Sequence, residues 1–93
     1  MSAVERRHYQ FWGSVQGVGF RYRAQYAAQS LGLTGWVCNL WDGSVELEVQ
    51  GDPALLDKLV PTITGTSRWI RITDWEMKRI PPDPDERRFR VLD

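Results

Sequence analysis

The sequence predicts an α+β fold of the ferredoxin-like type, a four-stranded antiparallel sheet with two helices on one face. Segments of alternating apolar and polar residues predict strands, and two segments with apolar residues every three or four positions predict helices. The order is β-α-β-β-α-β, and two right-handed β-α-β crossovers that share one sheet produce this architecture. With 93 residues, 42% of them hydrophobic, we expect a single domain over residues 1–93.

The first strand and helix follow each other closely. Residues 7–15 alternate between apolar and polar side chains, which is typical of a strand. The next segment, Gln16-Gly17-Val18-Gly19, contains two glycines that permit backbone angles other residues resist. From Phe20 to Leu31 the apolar residues follow helical spacing, and Gly32 suits the C-terminal cap of that helix.

Strand patterns recur after the first helix. Residues 35–41 are rich in residues that favour strands, and residues 45–49 alternate between valine or leucine and polar side chains. The Asp42-Gly43 pair between them is a strong signal for a hairpin turn. Residues 69–80 predict another strand, and Phe89 to Val91 predict a short last one.

The second helix has a clear start and an irregular end. Asp52 suits the N-cap, and Pro53 suits the first helical position. Leucine and isoleucine residues with helical spacing continue to Ile63. Pro61 is expected to end or bend this helix, because proline cannot donate the backbone hydrogen bond that a helix requires.

The charges are balanced in number but not in position. Twelve basic residues face twelve acidic ones, yet no Asp or Glu lies between Arg6 and Trp41. An acid-free first half that carries arginines favours an anionic ligand. The overall balance is too weakly basic for a general nucleic-acid binder, so we expect no nucleic-acid partner.

Composition excludes several classes of site. The single cysteine, Cys38, and the single histidine, His8, leave no ligand set for zinc, haem or a copper carrier, so we expect no metal and no cofactor. No segment approaches the roughly 20 apolar residues of a membrane span, and the N-terminus lacks the apolar core of a secretory signal. We therefore expect a cytoplasmic monomer without a membrane partner.

The turn from the first strand into the first helix is the strongest candidate site. Amide N–H groups at a helix N-terminus lack intrahelical partners and, together with the helix dipole, attract anions. Gly17 and Gly19 allow several N–H groups to converge on one phosphate-sized ion. Arg21 opposes the dipole from the first turn, which makes sense if its guanidinium completes a phosphate cradle. The alternative is a tight turn followed by an arginine that faces solvent.

Asn39 is the second candidate. Asparagine is disfavoured inside strands, yet Asn39 lies within the strand-forming segment 35–41. In the predicted sheet this strand ends near the glycine-containing turn. There the side-chain amide can hold a water by accepting one hydrogen bond and donating another. The alternative is an ordinary asparagine near the end of a strand.

Three strings carry a resemblance to a known family. Gly13–Arg21 reads GSVQGVGFR, Leu31–Asn39 reads LGLTGWVCN, and Asp42–Glu46 reads DGSVE. Together they closely resemble the acylphosphatase family, whose members include stand-alone domains of this size. The resemblance implies metal-independent hydrolysis of the carboxyl–phosphate bond of small acyl phosphates, without a phosphoenzyme. Inorganic phosphate or sulfate is then the expected product-like ligand.

The resemblance also implies roles for particular residues. Arg21 matches the arginine that binds the phosphoryl group, and Asn39 matches the asparagine that positions the attacking water. The phosphate-binding loop would comprise Val15, Gln16, Gly17, Val18, Gly19 and Phe20. Such a minimal site suits an acyl phosphate, because its carboxylate leaves easily and the loose transition state needs mainly positioning and charge stabilisation.

Two other function classes remain open at this point. A ferredoxin-like sheet with exposed aromatic side chains can stack RNA bases, although the chain lacks an RNP-like aromatic string. A regulatory domain of the same fold would bind a phosphate-containing ligand without turning it over. Salt-dependent RNA binding on the sheet would favour the first, and ligand binding without hydrolysis would favour the second.

Overall fold

The computed structural model describes residues 3–65 and 67–92. These residues form five strands and two helices. The elements are β1 Glu5–Ser14, α1 Phe20–Ser30, β2 Thr34–Asn39, β3 Val45–Gly51, α2 Pro53–Thr64, β4 Arg71–Ile80 and β5 Phe89–Leu92.

The sheet has the order β4-β1-β3-β2-β5, and this corrects the prediction of a four-stranded antiparallel sheet. The first four strands are antiparallel to their neighbours, but β5 is a fifth strand that pairs with β2 in parallel. The direction of β5 follows from the topology. Because β4 runs opposite to β1 and β2, it ends at the edge of the sheet where β2 begins. A strand that starts there on the far side must run parallel to β2.

One face of the sheet and the two helices enclose the hydrophobic core, which confirms the ferredoxin-like architecture. Phe11 from β1 and Leu47 from β3 are fully buried against Phe20 of α1 and Leu59 of α2. The rings of Phe11 and Phe20 lie 5.4 Å apart between centroids. This contact holds the first turn of α1 directly over β1.

The predicted caps of both helices are confirmed. Gly32 has a φ of 70°, and the N–H of Leu33 donates to the carbonyl of Ala28 at 2.8 Å beyond the end of α1. At the start of α2, the side chain of Asp52 accepts a hydrogen bond from the N–H of Ala54 at 2.9 Å. Pro53 is the first residue of that helix.

Pro61 is expected to end or bend the second helix, and the first of these alternatives is wrong, because α2 continues to Thr64. Ile63 in the last turn is buried in the core, and this burial offsets the single backbone hydrogen bond that Pro61 cannot make. The N–H of Gly65 then donates to the carbonyl of Pro61 at 2.8 Å.

Neither helix within the described ranges is long and apolar enough to cross a membrane.

The outer face of the sheet carries a polar network that holds the connection between β4 and β5. Arg6 is buried there, and its guanidinium donates to Glu48 at 3.0 Å and to Glu86 at 2.8 Å. The side chain of Gln50 donates to the carbonyl of Asp83 at 2.9 Å and accepts from its N–H at 2.7 Å. These bonds fix the connection across one end of the sheet.

Candidate functional site

A small hollow lies at the edge of the sheet where β1 and β2 both end. The two strands run in the same direction because each is antiparallel to β3, which lies between them. The chain leaves β1 through a loop, crosses this edge and enters α1. The hollow, named here the loop hollow, has a volume of about 150 Å³ and is lined by Val15, Gly17, Gly19, Phe20, Arg21, Tyr22 and Asn39.

Two glycines shape the loop that forms one wall of the hollow. Gly17 and Gly19 have φ angles of 73° and 81°, a left-handed conformation that other residues rarely adopt. A Cβ atom on either residue would meet no atom within 4 Å. The backbone conformation, not crowding, therefore requires glycine at both positions, and both face open space.

The N-terminus of α1 opens towards the hollow without a side-chain cap. Gly19 is the N-cap residue, and the first turn contains no acidic side chain. The backbone dipoles therefore present a partial positive charge that no neighbouring carboxylate of that turn offsets. Arg21 is half-buried in this turn and also lines the hollow. Amide dipoles and a guanidinium thus act on the same small volume.

Two of the predicted loop residues do not line the hollow. The side chain of Gln16 donates from Nε2 to the carbonyls of Leu40 and Ser44, at 2.7 and 2.8 Å. Val18 is partly buried and packs against the hydrophobic core. Gln16 therefore ties the loop to the turn between β2 and β3.

The turn between β2 and β3 is itself stabilised by hydrogen bonds, and the predicted Asp42-Gly43 hairpin is confirmed. Asp42 Oδ1 accepts from the hydroxyl of Ser44 at 2.5 Å and from its N–H at 2.9 Å. These bonds, with the hydroxyl contributing most, hold the pKa of the Asp42 carboxyl below its usual range. The buried Ser44 hydroxyl also accepts from Gln10 Nε2 at 3.0 Å.

Asn39 lines the hollow and also carries an unsatisfied polar atom. It is the last residue of β2, where its pairing with Val45 fixes the backbone. Its side-chain oxygen, Oδ1, is buried and accepts no hydrogen bond from the residues that the structure describes. A buried amide oxygen without a partner is costly, so Oδ1 is a candidate acceptor for a water or a ligand.

Tyr22 lines the hollow although the sequence analysis did not select it. Its side chain is 69% exposed, and it lies off the buried stripe of Phe20, Ala24, Ala27 and Ala28. The signal in the sequence is a large aromatic residue outside the apolar stripe and next to Arg21.

No three His, Cys, Asp or Glu residues within 3–65 and 67–92 lie close enough together to hold a metal ion.

A larger hollow lies elsewhere, between α2 and the helix side of β4. It has a volume of about 570 Å³ and is named here the α2–β4 hollow. Its walls are mainly apolar and include Leu56 of α2 and Trp75 and Met77 of β4. At its rim the guanidinium of Arg7 donates to Asp57 at 2.8 Å. The guanidinium of Arg7 is therefore already paired with a carboxylate, which makes its charge less available to a ligand.

Comparison with known proteins finds one consistent family. The family model described as Acylphosphatase matches residues 7–91. The acylphosphatase of Geobacillus thermodenitrificans (strain NG80-2) is 37% identical over 89 residues, which cover 96% of this chain and 95% of the relative. The acylphosphatase of Chlorobaculum tepidum is 43% identical over 89 residues and 96% of its length.

A solved structure agrees with the sequence comparisons. The crystal structure of acylphosphatase from Bacillus subtilis superposes with a TM-score of 0.84 and 32% identity. The match covers 98% of this chain and 100% of the solved one.

Proposed function

The chain belongs to the acylphosphatase family and is therefore an enzyme that hydrolyses acyl phosphates, and we propose that it does so with the groups around the loop hollow. Water attacks phosphorus, the bond between phosphorus and the carboxyl oxygen breaks, and the products are a carboxylate and inorganic phosphate. The residues at the hollow suit three separate tasks, which are phosphate binding, charge stabilisation and positioning of the water.

The loop and Arg21 hold the phosphoryl group in this proposal. The amide N–H groups between Val15 and Phe20 donate to the phosphoryl oxygens, as the left-handed glycines and the uncapped start of α1 allow. The guanidinium of Arg21 adds a charge-assisted pair of hydrogen bonds. The transition state of phosphoryl transfer is loose and carries negative charge on these same oxygens, so fixed donors there lower the barrier.

Asn39 positions the attacking water, and the observation that carries the proposal is that Asn39 lines the hollow while its Oδ1 has no hydrogen-bond partner among the described residues. The oxygen accepts a hydrogen bond from the water and thereby directs a lone pair of the water oxygen towards phosphorus. A strand end holds Asn39 rigidly opposite the loop. The alignment therefore costs little rearrangement when the substrate binds.

The proton of the water passes to a phosphoryl oxygen of the substrate. The described residues that line the hollow include no carboxylate and no imidazole that might serve as a base. A carboxylate is a good leaving group and needs no protonation before it departs. Positioning and charge stabilisation are then sufficient for the reaction.

The outer face of the sheet argues against the RNA-binding alternative. Where bases would stack, Glu46 and Glu48 flank His8, and His8 Nδ1 lies 2.9 Å from the carboxylate of Glu48. Trp36 is half-buried and meets His8 edge-on, with 6.3 Å between ring centroids. Carboxylates on this face repel a phosphate backbone.

Hydrolysis of benzoyl phosphate in excess EDTA tests the proposed function. We expect rapid turnover by the wild type and none of p-nitrophenyl phosphate, whose leaving group is poorer. Arg21→Ala should lower kcat/KM about 100- to 1,000-fold, because it removes a donor to the transition-state charge. Asn39→Ala should lower kcat about 100-fold, because the water is no longer aligned.

Controls separate these roles from loss of the fold. Arg90→Ala removes an exposed arginine of β5 and should leave kcat/KM unchanged. Circular dichroism and thermal unfolding report whether each variant is folded. Full activity of a folded Arg21→Ala or Asn39→Ala variant would remove that residue from the mechanism. A folded wild type that binds phosphate without turnover would instead support the regulatory alternative.

A further inference from the structure

Tyr22 is a large, mostly exposed aromatic side chain that lines the loop hollow. Its ring is 69% exposed and lies outside the buried stripe of α1, so it contributes little to the hydrophobic core. It nevertheless lines the same hollow as Arg21 and Asn39. An exposed aromatic ring beside a site often marks a contact with a ligand.

The size of the hollow leaves part of the substrate outside it. The volume of about 150 Å³ is well below the roughly 300–1,000 Å³ of pockets that enclose a whole organic ligand. The hollow accommodates a phosphoryl group and a water. The acyl group must therefore extend past the rim, where the ring of Tyr22 lies.

We propose that Tyr22 packs against the acyl group and makes the enzyme prefer acyl phosphates with a flat, apolar acyl group over acetyl phosphate. This inference rests on the proposed function, because it assumes that the loop and Arg21 hold the phosphoryl end. A benzoyl ring can stack on or meet the edge of the tyrosine ring, whereas an acetyl group offers only one methyl group for contact.

The test compares benzoyl phosphate with acetyl phosphate in four proteins: wild type, Tyr22→Ala, Tyr22→Phe and Tyr26→Ala. Tyr26 is the matched control, because it is 79% exposed, lies one turn further along α1 and does not line the hollow. Tyr22→Ala should raise KM for benzoyl phosphate about three- to tenfold, the range for one aromatic contact, and change KM for acetyl phosphate less than about twofold. Tyr22→Phe and Tyr26→Ala should retain the wild-type preference.

The outcomes separate this inference from the proposed function. Wild-type turnover of acetyl phosphate tests the function, and the ratio of the two KM values tests Tyr22. Equal losses on both substrates, or no loss on either, in a folded Tyr22→Ala variant would overturn the role of Tyr22 and leave the enzyme assignment standing. Absence of turnover of either substrate by the wild type would overturn both.

Discussion

The two hollows of this protein differ in what forms them. The α2–β4 hollow is nearly four times larger, and apolar side chains such as Leu56, Trp75 and Met77 line it. The loop hollow is small, and its lining includes two glycines at the start of α1, Arg21 and Asn39. Volume alone favours the first as a ligand site, whereas a compact anion needs converging donors. In the proposed function, the chemistry of the lining and not the size decides which hollow binds phosphate.

The largest expected effect separates packing from chemistry. Leu56 is buried in α2 and lines the α2–β4 hollow. Leu56→Ala should lower the free energy of unfolding by about 2–5 kcal/mol, because it leaves a cavity in the core. The kcat of the folded variant towards benzoyl phosphate should not change. Urea unfolding and steady-state kinetics measure the two quantities, and a drop in kcat without unfolding would show that the hollows are coupled.

An intermediate effect is expected where the loop meets the turn between β2 and β3. Gln16→Ala removes two hydrogen bonds from Gln16 Nε2 to backbone carbonyls of that turn, which should cost about 1 kcal/mol or slightly more in unfolding free energy. It should also lower kcat/KM about tenfold, because the loop is then less firmly held relative to Asn39.

Gln10→Ala is the matched control for that variant. Gln10 also donates from Nε2 to a group of Ser44 in the same turn, but it lies on β1 instead of the loop. Its replacement should cost about 1 kcal/mol in stability and leave kcat/KM unchanged. Equal activity losses in the two variants would show that the turn matters and that the loop anchor does not.

The smallest expected effect is a pH dependence of the unfolding temperature. Hydrogen bonds from Ser44 hold the pKa of Asp42 below its ordinary value of 3.8. The stabilisation by the carboxylate is therefore fully present above pH 3.8 and is lost as pH falls through the lower pKa of the folded state. Wild type should unfold at a slightly higher temperature than Asp42→Asn near neutral pH, and the gap should close in acid. The difference in unfolding temperature between Leu56→Ala and wild type should stay the same at every pH. A difference between Asp42→Asn and wild type that does not change with pH would contradict the prediction.

The elements set by local patterns were predictable from the sequence. The stripe that starts at Phe20, the cap at Gly32 and the start of α2 at Asp52 each depend on a few neighbouring residues. The partner and direction of β5 were not predictable from the sequence, because they depend on where the connection from β4 crosses the sheet. The length of α2 beyond Pro61 depended in turn on the burial of Ile63, which is a tertiary contact.

The same division applies to the candidate site. Gly17, Gly19 and Arg21 were selected because a strand, a glycine-containing loop and a helix follow one another within a short string. Their roles, like that of Asn39, stay predictions until the kinetic variants are measured. The anchoring of Gln16 escaped sequence analysis, because its partners lie in a turn far along the chain. The exposure of Tyr22 was signalled by its position off the apolar stripe of α1, but that signal was not used.

The place of β1 between β4 and β3 has a consequence for the order of events during synthesis. Every residue that lines the loop hollow lies between positions 15 and 39, yet β1 pairs along its length with β4, at residues 71–80. A ribosome therefore releases the whole site long before the strand that completes the flank of β1 has emerged. Pairings over such sequence separations form slowly, so the walls of the loop hollow acquire a rigid support only when most of the chain has been made.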